Sequence, residues 1–208
     1  MSPKKVEVIP NGVDINIFKP KKERLRQDDK SHILWVGRYT TGKNIDILIE
    51  SAKILIGQYP NISFILVGQG PLKKQIEYLA VKLKIFDKIE FVDAVKNDEM
   101  PEIYNSSDVF VLPSRDEGVP RTILEAMACG LPIVCTDLPQ LSDLISGCGI
   151  TIPIGDPISC ANAISNIISN KSLAQKFGEN SREKIVKNHS WDLTVKKTIE
   201  LYEKVIDQ

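Results

Sequence analysis

Apolar positions along this chain fall in short dense runs separated by amphipathic stretches. HILWVG (32–37), SFILVG (63–68), KIEFV (88–92), DVFVLP (108–113), LPIVCT (131–136) and GITIP (149–153) each end at Gly, Pro or a polar residue. Runs this short and this rich in Val, Ile and Phe read as strands. Several are apolar at consecutive positions, which predicts strands covered on both faces, as in a parallel sheet. Between them, at 44–57, 71–84, 98–106, 120–130 and 139–145, apolar residues recur at helical spacing. The pattern then changes: 158–169, 172–187 and 192–206 read as consecutive helices, with Asp192 as N-cap of the last. Such alternation predicts an α/β fold, a Rossmann-like doubly wound parallel sheet flanked by helices, with right-handed crossovers and extra C-terminal helices. The expected division is a lead-in segment or linker over 1–30, the Rossmann-like domain over 31–190 and a C-terminal helix over 191–208.

Composition narrows the function classes. The 208 residues suffice for one large α/β domain with a substantial core. Lys+Arg and Asp+Glu both total 27, so no chain-wide attraction draws the protein to nucleic acid or anionic lipid. The basic cluster in KPKKERLRQDDK (19–30) is interrupted by acids and reads as a charged linker. Cys129, Cys135, Cys148 and Cys160 lack metal-type CxxC spacing and read as reduced core thiols. The opening MSPKKVEV lacks the apolar centre of a signal peptide, and no run approaches the ~20 residues of a membrane helix. Cytoplasm is the expected compartment.

In an open parallel sheet, ligands bind beyond the carboxyl ends of the strands, so the loops there carry the candidate chemistry. GRYTTGKN sets Gly37 and Arg38 after the first strand and Lys43 at the opening of a helix. Glycine lets backbone approach, and two cations at a helix N-terminus suit a phosphate; an exposed loop with ordinary basic residues is the alternative. GQGPLKK holds part of a dinucleotide fingerprint, but Lys73 stands in place of the third glycine. No acidic residue is expected at the ribose position on the next strand, so Gly68 and Gly70 read as turn glycines permitting close approach. In PSRDEGVPRTILEAMACG, Pro120 at the first helical position would free the N–H groups of Arg121, Thr122 and Ile123, a second anion site facing the first. Glu117 precedes that helix, and Glu125 lies within it among apolar residues, where a lone carboxylate is costly. An exposed Arg121–Glu125 ion pair, and Glu117 as a charge favoured by the helix dipole, stand as alternatives. His32 and His189 read as structural, Trp35 and Trp191 as packing residues, Asp28-Asp29 as a poor metal site, and Ser114 as no nucleophile.

Taken together, these stretches resemble the C-terminal, donor-binding domain of GT-B glycosyltransferases of the retaining family 4. VIPNGVDINIF, VGRYTTGKN, LVGQGPL, SSDVFVLPS, EGVPRTILEAMACGLPIV and HSWDLTVKKTIELYEKVI follow that family's order over nearly the whole chain. Glu117 and Glu125 match its signature of two glutamates with seven residues between them. The resemblance implies transfer of a hexosyl group, with retention, from a UDP-, GDP- or ADP-sugar to a glycan, lipid or small-molecule acceptor, with no catalytic metal or other cofactor. It implies that Arg38 and Lys43, beside Gly37, bind the diphosphate, and that amides near Arg121 and Thr122 complete the cradle. It implies that Glu125 accepts from the ribose, that Glu117, Gly118, Val119 and Pro120 hold the sugar, and that Val95 and Lys96 meet the base. Glu117, Arg38 and Lys43 would be the catalytic set. Asn44 stands where the family often has glycine, which is expected to alter the turn and keep the site. The family's N-terminal acceptor domain is missing, so the chain reads as half an enzyme, an excised piece or one subunit of a split protein. Any membrane association is expected through that missing domain. A sugar-nucleotide epimerase-like domain, or a non-catalytic nucleotide-binding or regulatory module, would share this fold.

Overall fold

A computed structural model describes residues 6–21 and 28–206; the middle of the charged linker, residues 22–27, falls outside that range. All six apolar runs become strands: β1 (Ser31–Val36), β2 (Ile62–Val67), β3 (Ile89–Val92), β4 (Val109–Leu112), β5 (Ile133–Thr136) and β6 (Gly149–Ile152). They pair in parallel in the order β3-β2-β1-β4-β5-β6. Every residue of β4 and β5 is buried, because helices cover both faces there. The edge strands β3 and β6 are only partly buried. Each fully buried Val, Ile or Phe side chain contributes ~1.5–3 kcal/mol, so the core lies along the central strands.

The helices are α1 (Ile45–Gln58), α2 (Lys73–Lys82), α3 (Met100–Asn105), α4 (Arg121–Ala128), α5 (Pro139–Ile145), α6 (Pro157–Ser169), α7 (Lys171–Asn188) and α8 (Trp191–Ile206). The chain steps outward from β1 to β2 and β3, then returns past β1 to β4 and continues the other way. With a constant right-handed crossover, that reversal puts α1 and α2 on one face and α3 to α5 on the other. α6 packs on α1, and α7 packs on α4. The reversal leaves a crevice between β1 and β4 at the carboxyl edge, the topological switch point.

Some local expectations need correction. Asp192 does not cap α8: the Ser190 hydroxyl accepts the Leu193 N–H at 3.2 Å, and Asp192 lies in the first turn. Trp35 is fully buried, but Trp191 is 48% exposed. Trp191 opens a helix that has no buried residue, and its backbone is what engages, donating to Val13 O at 3.0 Å. Both histidines make structural contacts: His32 Nε2 lies 3.0 Å from Asp28, and His189 Nδ1 lies 3.3 Å from Asn11 O. Burial lowers the pKa of His189. All four cysteines are free and buried, and burial pushes the thiols of Cys129, Cys135 and Cys160 up to about 12.

Candidate functional site

The loops after β1 and β2 lie against each other, and this fixes two glycines. A Cβ on Gly68 (φ +142) would fall 1.9 Å from Gly37 O, and one on Gly70 (φ +155) would fall 2.5 Å from Tyr39 O. The close approach is therefore of backbone to backbone. A cavity of 570 Å³ opens beside them at the ends of β1, β2 and β3. Gly37, Arg38 and Val95 share its lining, and Val36, Val67 and Met100 contribute apolar surface. Lys96 is not in this lining; it is exposed, and its N–H donates to Glu99 Oε2 at 3.2 Å.

Contrary to the reading of GQGPLKK, an acidic residue does follow the next strand. Asp93 comes directly after Val92 of β3, but its carboxylate is ion-paired with Lys73, the residue in place of the third glycine.

Lys43 does not open α1. It ends a 3-10 turn, Thr41–Lys43, and Asn44 follows in the left-handed conformation (φ 52, ψ 41) before α1 begins at Ile45. Asparagine is among the few non-glycine residues that adopt this conformation readily. Lys43 Nζ reaches across the crevice to Glu117 Oε1 and forms an ion pair with it. The side chains of Lys43 and Glu117 are 25% and 9% exposed, so the pair is partly shielded from water.

Pro120 is the N-cap of α4, not its first residue (φ −71, ψ 135), because its extended ψ excludes it from the helix. The helix still begins at Arg121, so the N–H groups of Arg121, Thr122 and Ile123 lie in the first turn, where no intrahelical acceptor exists. The Glu117–Pro120 loop is held on three sides. Lys43 takes the Glu117 carboxylate, Gln140 Nε2 donates to Glu117 O, and Asn11 Nδ2 donates to Val119 O at 3.3 Å. Gly118 is exposed at its tip.

Glu125 is buried, at 6% exposure. Tyr104, on α3, donates its hydroxyl to Glu125 Oε2 at 2.9 Å, and Arg121 Nη2 lies 3.6 Å from Oε1. The i,i+4 ion pair therefore exists, but only its Arg121 end, 63% exposed, meets water. Burial raises the Glu125 pKa above its ordinary value, while Tyr104 and Arg121 oppose the shift. Burial, then the charge of Glu125, holds the Tyr104 phenol well above the ordinary tyrosine range.

The site thus falls into three groups: Gly37, Arg38 and Val95 in the cavity, the Lys43–Glu117 pair across the crevice, and Glu125 behind the start of α4. Tyr104, Asn11, Gln140 and Arg115 are not among the residues the sequence singles out. Only Tyr104 had a signal, since an inward carboxylate demands a donor. Among the described residues, no three of His, Cys, Asp or Glu gather as a metal ion would need. No helix there is long and apolar enough to cross a membrane.

Known proteins share this fold. The family model for glycosyl transferases group 1 matches residues 16–184. A UDP-Gal:α-D-GlcNAc-diphosphoundecaprenol α-1,3-galactosyltransferase of Escherichia coli is 33% identical over 214 residues, covering 97% of this chain and 55% of that protein. Sucrose-phosphate synthase of Thermosynechococcus elongatus superposes with a TM-score of 0.89 at 26% identity, over 97% of this chain and 53% of that one. The C-terminal domain of a glycosyl transferase group 1 family protein (LpcC) of Francisella tularensis, at 23% identity, shares the fold with a TM-score of 0.79, over 86% of this chain and 100% of that domain. The chain spans about half the length of the curated relatives it matches. Matched over most of its length and folded as the GT-B glycosyltransferases are, this chain belongs to the group 1 glycosyl transferases.

Proposed function

We propose that the chain is the donor-binding half of a retaining hexosyltransferase of family 4 that uses a UDP-sugar. The observation that carries this reading is the Lys43–Glu117 pair, which joins a cation and a carboxylate across the β1/β4 switch point in front of the α4 N-terminus. A nucleoside diphosphate sugar needs those groups in that order: cations and free amides for phosphate oxygens, then a carboxylate for sugar hydroxyls. Arg38 and Lys43 hold the diphosphate, and the amides of Arg121 and Thr122 receive its remaining oxygens. Glu125 accepts from the ribose hydroxyls, while Glu117, Gly118, Val119 and Pro120 hold the sugar. The apolar wall at Val36, Val67, Val95 and Met100 suits the flat face of a base. The uridine assignment is supported by the UDP-Gal donor in the name of the Escherichia coli relative.

In the transfer, an acceptor hydroxyl forms a bond to the anomeric carbon on the leaving-group side. The sugar–phosphate bond breaks, its electron pair leaves on the diphosphate, and the acceptor hydroxyl's proton passes to the departing phosphate oxygen. Arg38 and Lys43 stabilise that developing charge, which is where fixed cations lower a barrier most. Glu117 orients the sugar. The acceptor site lies in the part of the protein that this chain does not include.

Calorimetry with UDP, GDP and ADP tests the donor site. Wild type is expected to bind UDP most tightly, and Arg38→Ala and Glu125→Ala each to weaken it about tenfold or more. Unchanged affinity in both variants would refute the site.

A further inference from the structure

The loops on either side of the crevice are tied by a contact that the donor roles do not use. Arg115, in the β4–α4 loop, donates from Nε to Asn44 Oδ1 at 2.9 Å. Its backbone N–H donates to Gly42 O, also at 2.9 Å. The residue directly after Lys43 is thus gripped by the residue two positions before Glu117. Lys43 and Glu117 meet at the far end of the same bridge.

Asn44 is a costly residue at this place. Its left-handed backbone needs no side chain, and glycine adopts it at less strain. Asn44 is 2% exposed, and its Nδ2 has no hydrogen-bond partner among the described residues. Burying an amide N–H group without a partner is unfavourable. The Arg115 bond to Oδ1 is the interaction that offsets this cost. Arg115 itself is exposed apart from that grip.

We propose that Arg115 and Asn44 form a positioning pair, which fixes where Lys43 projects toward Glu117 and so sets the spacing between the phosphate and sugar ends of the donor site. The proposal rests on the donor-site reading above. Neither residue touches the donor; Arg115 acts through Asn44. The lysine stem is flexible, so the place of its ammonium depends on how firmly the backbone beneath it is held. The Arg115 N–H and Gly42 O tether one end of the turn, and the side-chain bond locks the other.

Native-state hydrogen exchange and calorimetry on this chain test the pair together. Asn44→Gly keeps the left-handed backbone, and Arg115→Ala keeps the Arg115 N–H, so both variants should fold with little change in Tm. Each should speed exchange of the Lys43, Asn44 and Arg115 amides about tenfold and weaken UDP binding about five- to tenfold. The double variant should match either single one. Arg115→Lys keeps the charge without the Nε bond and should behave as Arg115→Ala. Additive losses in the double variant, or wild-type affinity in Arg115→Lys, would show that Arg115 acts on the anion by charge and would overturn the proposal. Unchanged exchange in both single variants would overturn it as well. Coupled exchange in a chain that binds none of UDP, GDP and ADP would uphold the pair and refute the donor-site reading instead.

Discussion

Replacing Tyr104 by Phe removes one oxygen from the core and isolates the support of Glu125. The hydroxyl lies 2.9 Å from Glu125 Oε2, with Tyr104 fully buried and Glu125 at 6% exposure. Phe fills nearly the same volume, so the cost is that of a hydrogen bond to a charged acceptor, ~1.5–3 kcal/mol at neutral pH. For a chain of this size that lowers Tm by about 3–12 °C. The effect must depend on pH, and the sign follows from the direction of the shift. Burial raises the folded pKa of Glu125 above 4.5, and Tyr104 is the first of the groups that oppose this. Between 4.5 and the folded value the native state keeps a proton that the unfolded chain releases, so this group's contribution to stability falls as pH rises through that window. Without the hydroxyl the folded value rises further and the window extends to higher pH. The deficit of Tyr104→Phe is therefore largest at neutral pH and shrinks toward acid pH, where Glu125 is protonated in both proteins. Thermal denaturation from about pH 4 to 8, with carboxyl carbon NMR of Glu125, reads both quantities. A deficit independent of pH, or a Glu125 titration identical in the two proteins, would refute the reasoning.

Two further predictions concern the backbone. Gly70→Ala places a Cβ 2.5 Å from Tyr39 O at φ +155, and should cost ~1–3 kcal/mol in urea unfolding, whereas Gly42→Ala, with nothing within 4 Å, should be near neutral. Equal effects at the two sites would refute the close approach of the loops. Ser190→Ala should cost ~1 kcal/mol through loss of the α8 cap, and Asp192→Ala only a few tenths through the helix dipole. The reverse order in chemical denaturation would restore Asp192 as the cap.

The fold was legible because buried parallel strands are apolar at consecutive positions, a pattern that needs no knowledge of partners. Its imprecision lay at the ends of elements, where capping decides. Ser190 and Asp192 are both competent N-caps, and hydrophobic periodicity cannot separate two such residues so close together. Pro120 likewise suits either the cap or the first helical position, and only its ψ distinguishes them. Residues after strands were legible as candidate chemistry for a topological reason, since loops at the carboxyl edge face the crevice. Arg38, Lys43 and Glu117 were singled out as candidates that way. Side-chain partners were not, because they join distant segments: Arg115 and Asn44 are 71 residues apart, and Asn11 and Val119 are 108 apart. Arg182 ties Phe18 O, Ala128 O and Ile15 O at 2.8 to 3.0 Å without any periodic signal.

Tyr104 occupies a middle position between these cases, and it shows how far topology extends a sequence argument. A carboxylate at Glu125 in an apolar helix requires a buried donor. In the order β3-β2-β1-β4-β5-β6 the helix entering β4 and the helix leaving it share a face of the sheet, so α3 must lie beside α4. Within MPEIYN, Tyr104 is the side chain that combines a body suited to the core with a hydroxyl able to donate. The burial of Glu125 and the strand order together name its partner, where either alone does not. Arg115 has no such signal, because Asn44 shows no unmet demand in the sequence: its burial follows from the turn, and only the folded loops reveal it.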